Sequence, residues 1–265
     1  SNGSDMVVLS RNYLNNTQHK YLDNDDSDPN KKILDYNSGE GDIRLRYERT
    51  VVWPNSLRLS YGAGTEMSRY RNDTFRQFFA GEGLETELYN SNLVFFKYAA
   101  FGQLSRSFID ERLRLSFGLR TDANSYSSVM SNPLTQISPR LSASYALNSL
   151  VNLNFNVGRY YQLPPYTALG LKDNDGNYIN KENGLKYIAA DHIVGGVELI
   201  PDERLQFTLE GFYKKYSDYP FSVADQVPLS TKSAGYGVFG NESLVSTSVG
   251  RAYGFEFMGR ARDFE

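Results

Sequence analysis

An alternation of apolar and polar residues with a period of two constrains this chain more than any other feature. Leu113, Leu115, Phe117 and Leu119 fall on one side of an extended backbone, and Arg112, Arg114, Ser116, Gly118 and Arg120 fall on the other. The pattern returns in Ile43, Leu45 and Tyr47 against Asp42, Arg44, Arg46 and Glu48, and in Leu57, Leu59 and Tyr61 against Ser56, Arg58 and Ser60. Val151, Leu153, Phe155 and Val157 oppose Asn152, Asn154, Asn156 and Gly158; Leu205, Phe207 and Leu209 oppose Arg204, Gln206, Thr208 and Glu210. Leu141, Ala143 and Tyr145, and later Phe255 and Phe257, continue it. Helical spacing fits none of these windows, so the chain reads as all-β. The alternation predicts ten strands, at about 6–15, 41–52, 56–69, 85–105, 110–124, 136–148, 150–162, 190–200, 203–217 and 250–261.

Several of these strands exceed the usual length of about 5–6 residues, and about 9–11 residues is what a tilted strand needs to cross a bilayer. The connections are sorted as well. Trp53-Pro54-Asn55, Ser107-Phe108-Ile109, Asn148-Ser149 and Pro201-Asp202 are short turns. Between them lie long polar connections at about 16–40, 70–84, 125–135, 163–189 and 218–249. Short turns at one end and long loops at the other predict an antiparallel up-and-down meander of about ten long strands, part of a transmembrane β-barrel. The Leu, Phe, Tyr and Val rows would then face lipid, and the polar rows the interior. Trp53, Phe108 and Tyr145 lie beside the short turns, where an interfacial aromatic girdle belongs. The competing class is a soluble antiparallel β module that binds glycan or protein, with the same apolar rows as its buried core. The direction those rows face discriminates the two.

Composition narrows the chemistry. With 28 basic and 31 acidic residues the net charge is -3, which gives no cationic footprint for nucleic acid. There is no cysteine, and the only histidines are His19 and His192, so neither a thiol nor a clustered-imidazole site is available and no cofactor is expected. Asp173, Asp175 and Asn177 offer oxygen ligands of the kind calcium takes, but the run lacks the glycine at six and the glutamate at twelve of an EF-hand loop. A solvated turn is the simpler reading. Asp191 and His192 invite comparison with barrel proteases, yet neighbours on a strand point to opposite faces and cannot form one dyad. No enzyme is expected.

Two stretches carry a family resemblance. Ser138-Pro139-Arg140-Leu141, followed by Gly158-Arg159-Tyr160-Tyr161-Gln162 and Pro164-Pro165-Tyr166, resembles a run in the barrels of TonB-dependent outer-membrane receptors. Ala190 to Glu198, Leu209 to Tyr216 and Gly250 to Phe257 are similar to later strands of the same barrel. The resemblance implies a barrel of about 22 strands with a plug in its lumen, of which this chain supplies part. It also implies import of a nutrient across the outer membrane of a Gram-negative cell, with a small-molecule, glycan or peptide ligand. Partners would be outer-membrane lipid and the energy-coupling TonB protein, the latter through a plug domain missing from this chain. Residues 1–5 read as a linker or a leftover of preparation, and 6–265 as the partial barrel domain. Tyr160, Tyr161, Gln162 and Tyr166, at the mouth of a proline-stiffened loop, are the candidate ligand contacts, against the plainer role of packing the strand end. Arg44, Arg46, Arg58, Arg112 and Arg114 are the candidate lumen-facing cations. Two unpaired sheet edges predict that the chain self-associates without detergent.

Overall fold

A computed structural model describes residues 2–81, 83–202, 204–232 and 239–262. Ten strands form one sheet: β1 (Asn2–Tyr21), β2 (Lys32–Val52), β3 (Arg58–Ala80), β4 (Gly83–Phe108), β5 (Leu113–Asn124), β6 (Ile137–Ala146), β7 (Val151–Gln162), β8 (Ile188–Asp202), β9 (Leu205–Ser222) and β10 (Leu244–Ala261). Each is antiparallel to its sequence neighbours, in the unbroken order β1 to β10, which is the predicted meander. Three single-turn helices lie in the loops: α1 (Ser128–Ser131), α2 (Tyr166–Leu169) and α3 (Ile179–Glu182).

The register converts the period-two pattern into two unlike faces. Leu9, Leu45, Thr65 and Tyr98 stand side by side on one, while Ser10, Arg44, Glu66, Lys97 and Asn124 stand side by side on the other. No second sheet covers the apolar face among the described residues: Leu9 is 74% exposed and Phe255 84% exposed. Rows that would be the core of a soluble sandwich are an outward band instead, and the soluble module is set aside on that ground.

Short and long connections separate to opposite ends, with two corrections. The expected loop at 70–84 is a strand hairpin, in which β3 and β4 stay paired up to Ala80 and Gly83. Gly81 supplies the positive φ of +58° that the tight turn requires. The sequence hid this extension because its polar residues do not alternate with apolar ones. Asn72 and Thr74 are buried, and they form a side-chain ladder in which Asn72 Nδ2 donates to the Tyr70 hydroxyl at 2.9 Å and Thr74 Oγ1 donates to Asn72 Oδ1 at 2.6 Å. Likewise β1 and β2 run deep into the expected loop at 16–40, to Tyr21 and from Lys32.

The conventional core lies at the long-loop end. Tyr70, Tyr89, Leu93 and Phe95 of the hairpin pack with Tyr126 and Met130 around α1, Ala168 and Leu169 of α2, and Leu185, Leu229 and Leu244. Asn180 in α3 is fully buried and fully used: Nδ2 donates to the Ala168 and Glu242 carbonyls at 2.8 and 2.9 Å, and Oδ1 accepts the Leu244 N–H at 2.7 Å. One amide thus joins the loop 163–187 to Glu242 and Leu244 at the start of β10. Gly170 permits the closest approach to the hairpin, since a Cβ there would meet Ser91 Oγ at 2.1 Å.

Candidate functional site

Beneath the packed loops, the polar face of the sheet carries a charged network. The register sets Arg44, Glu66 and Lys97 in one row across β2, β3 and β4. Glu66 is mostly buried; its Oε2 accepts from Arg44 Nε at 2.7 Å and its Oε1 from Lys97 Nζ at 2.6 Å. A buried carboxylate of this kind persists because two cations satisfy it. Lys97 also donates to the Tyr166 hydroxyl, and the Tyr166 ring meets Phe95 edge-on at 5.6 Å and Tyr70 at 5.9 Å. The network is thereby tied to α2 of the overlying loop. On β5, Arg120 grips Asp122 with two hydrogen bonds of 2.8 and 2.6 Å.

Arg44, Glu66, Lys97, Arg120 and Asp122 line a cavity of about 310 Å³, together with Arg46, Phe101, Tyr161, Leu163 and Tyr187. Its wall holds the cations Arg44, Arg46, Lys97 and Arg120 against the carboxylates Glu66 and Asp122; Arg46 also pairs with Glu48 at 2.6 Å, which leaves one positive charge in excess. Burial pushes the Tyr187 hydroxyl up to about 12, even though it accepts a hydrogen bond from Asn124 Nδ2 at 2.9 Å, so it stays neutral and able to donate. A concave, partly apolar wall with convergent donors is suited to hold a solute that carries negative charge.

The family model for TonB dependent receptor-like β-barrels matches residues 3–265. The chain belongs to that family. In fold this TonB-dependent receptor barrel is similar to the copper transporter OprC, with a TM-score of 0.65 at 18% identity over 97% of this chain and 41% of that one. A mutant of the ferric enterobactin receptor PfeA from Pseudomonas aeruginosa gives 0.66 at 18% identity over 96% of this chain and 38% of its own. The pyoverdine outer membrane receptor FpvA of Pseudomonas aeruginosa PAO1, bound to pyoverdine, gives 0.63 at 11% identity over 98% and 39%. The chain therefore spans about two fifths of the length of these solved structures. No curated protein matches the sequence significantly. The family is one of receptors and transporters rather than enzymes.

Within this receptor barrel the sequence-predicted residues are distributed rather than gathered. Arg44, Arg46 and Tyr161 meet in the cavity just described. Gln162 and Tyr166 line an adjoining hollow with Tyr36, Glu40 and Tyr70, and Lys97 borders both. Tyr160 is elsewhere: its ring lies 4.7 Å from His192 and under the Arg140 guanidinium at 4.3 Å. Arg58 and Arg114 line a hollow nearer the short turns, with Ser60, Gln103 and Ser116. Arg112 departs from the expected lumen wall. It sits in the turn before β5, where it donates to the carbonyls of Ala146, the last residue of β6, and Leu147 at 3.1 and 2.6 Å.

Asp173, Asp175 and Asn177 form a turn that closes on itself. Asp173 Oδ1 accepts the N–H groups of Asn177 and Asp175 at 2.8 and 3.0 Å, and these bonds hold its carboxyl below the usual range. Asp191 binds Arg159, while His192, its neighbour, belongs to the opposite face of β8. Glu66, Lys97, Arg120 and Asp122 were not singled out from the sequence. Only the register across four strands brings them together, although the polar row of β2 was a signal for the face they share.

Proposed function

We propose that this chain is a stretch of barrel wall from an outer-membrane importer of a Gram-negative cell, and that the cavity beneath the loops holds an incoming ligand. The carrying observation is the excess of cations around the cavity of about 310 Å³ at the long-loop end. The ligand class it favours is a small molecule, glycan or peptide with anionic groups, delivered from outside through the loops. Release inward would be driven by TonB through a plug supplied elsewhere in the protein. The outward apolar band of Leu, Phe and Tyr supports residence in lipid. The same band and the free edges of β1 and β10 support self-association of the isolated chain in water.

Whole cells carrying the full-length receptor test this reading. Lys97→Met removes a donor facing the cavity, and a charge-assisted hydrogen bond of about 1.5–3 kcal/mol predicts at least a ten-fold fall in uptake of an anionic ligand. Unchanged uptake, or a full-length protein that fractionates as soluble without detergent, overturns the proposal. For the isolated chain, sedimentation without detergent is expected to show oligomers. A monodisperse monomer at high concentration refutes the edge-pairing argument.

A further inference from the structure

The outward face of β7 to β10 is apolar from the short turns upward until one row, where it becomes charged. Cross-strand pairing places Arg159 beside Asp191, Asp191 beside Lys215, and Lys215 beside Arg251. The row directly below is Val157, Ile193, Tyr213 and Tyr253, with Tyr253 70% exposed. Arg159 is the ninth residue of β7 and Lys215 the eleventh of β9, counted from the short-turn end. A tilted strand crosses the hydrocarbon layer in about 9–11 residues, so the charged row stands where the acyl chains end and the outer headgroups begin.

Its charge is not balanced internally. Arg159 Nε and Nη2 each donate to Asp191 at 2.7 Å, and that pair neutralises itself. Lys215 on the inner strand β9 forms no ion pair among the described residues and is exposed; Arg251, exposed as well, stands on β10, the last strand of the described sheet. Directly opposed residues on antiparallel strands hold their Cβ atoms about 4.5–5.5 Å apart, so an ammonium and a guanidinium can reach one oxyanion together. Tyr213 and Tyr253 just beneath provide a flat apolar seat for the first carbons of an acyl chain.

We propose that Lys215 and Arg251 clasp an anionic phosphate of an outer-leaflet lipid headgroup, with the Arg159–Asp191 pair as a neutral border and Tyr213 and Tyr253 against its acyl chains. The proposal rests on the reading that the apolar band faces lipid, and is separate from the ligand cavity on the opposite face. A headgroup is the occupant because the row coincides in height with the bilayer boundary all along four strands.

Native mass spectrometry of the full-length receptor in dodecyl maltoside micelles, with diphosphorylated lipid A added, tests it. Wild type is expected to retain lipid A, and Lys215→Gln or Arg251→Gln to weaken retention roughly five-fold each, with a larger loss when both are changed. Lipid A stripped of its phosphates should bind wild type no better than intact lipid A binds the double variant. Equal retention of both lipids, or unchanged retention by the double variant, overturns the proposal. Ligand uptake by the double variant should match wild type, which shows that it folds. Failure of the importer reading itself would appear in fractionation and uptake, not in this comparison of lipids.

Discussion

The two ends of the sheet obey opposite rules of burial. Between the short turns and the charged row, Leu, Phe and Tyr side chains point outward and their strands enclose Arg, Asn and Ser; Phe117 is 53% exposed and Leu209 51% exposed. Beyond that level, Met130, Leu169, Leu185 and Leu244 are completely buried among loops. The difference teaches that the hydrophobic effect is indifferent to inside and outside. It moves apolar surface away from water; in the upper half the refuge is protein, and in the lower half, on the proposed importer reading, it is lipid.

Substitutions that separate the two refuges test this contrast. The largest effect is expected at Leu169→Ala, a loss of about 2–5 kcal/mol in the loop core. Hydrogen exchange should then rise in 163–187, 223–232 and 239–243 while the lower strands stay protected; protection lost evenly along all ten strands would break the comparison. Phe117→Arg, near the middle of the outward band, should cost about 2–4 kcal/mol in urea titration of the full-length receptor refolded into vesicles. The loops should exchange as in wild type. A penalty as large in detergent-free buffer would mean that the band does not face lipid. The smallest effect concerns acid. Asp173 has a carboxyl pKa lowered by the N–H groups of its own turn, so its contribution is present above the unfolded value and lost as pH falls through the folded one. Amide protection at Asp175 and Asn177 should fade on acidification before that of the buried loop core. If both fade together, the turn is part of the core rather than an appendage to it.

The lower half was legible in the sequence because an outward apolar face and an inward polar face impose a strict alternation, as in Leu113 to Leu119. The upper hairpin was not, because both of its faces contain polar residues: Arg71 and Asp73 point one way, Asn72 and Thr74 the other. Strand continuity there depends on pairing with Ser91 and Tyr89 across the hairpin, which no single window reveals. The site was half legible for the same reason. Arg44 and Arg46 lie in a clear polar row, whereas Glu66 and Lys97 acquire meaning only from the register between β2, β3 and β4. Arg112 was misplaced because alternation was carried one residue past the strand into a turn.

The tight turns at one end have a consequence for inheritance. One residue gained or lost inside a strand would exchange its outward-facing and inward-facing sets downstream of the change, and a two- to five-residue turn has no slack to absorb it. The long loops at the other end, the tight β3–β4 hairpin apart, can take up such changes without disturbing any strand. Length variation is therefore channelled to the long-loop end, so the wall keeps a fixed gauge while the loops are free to change.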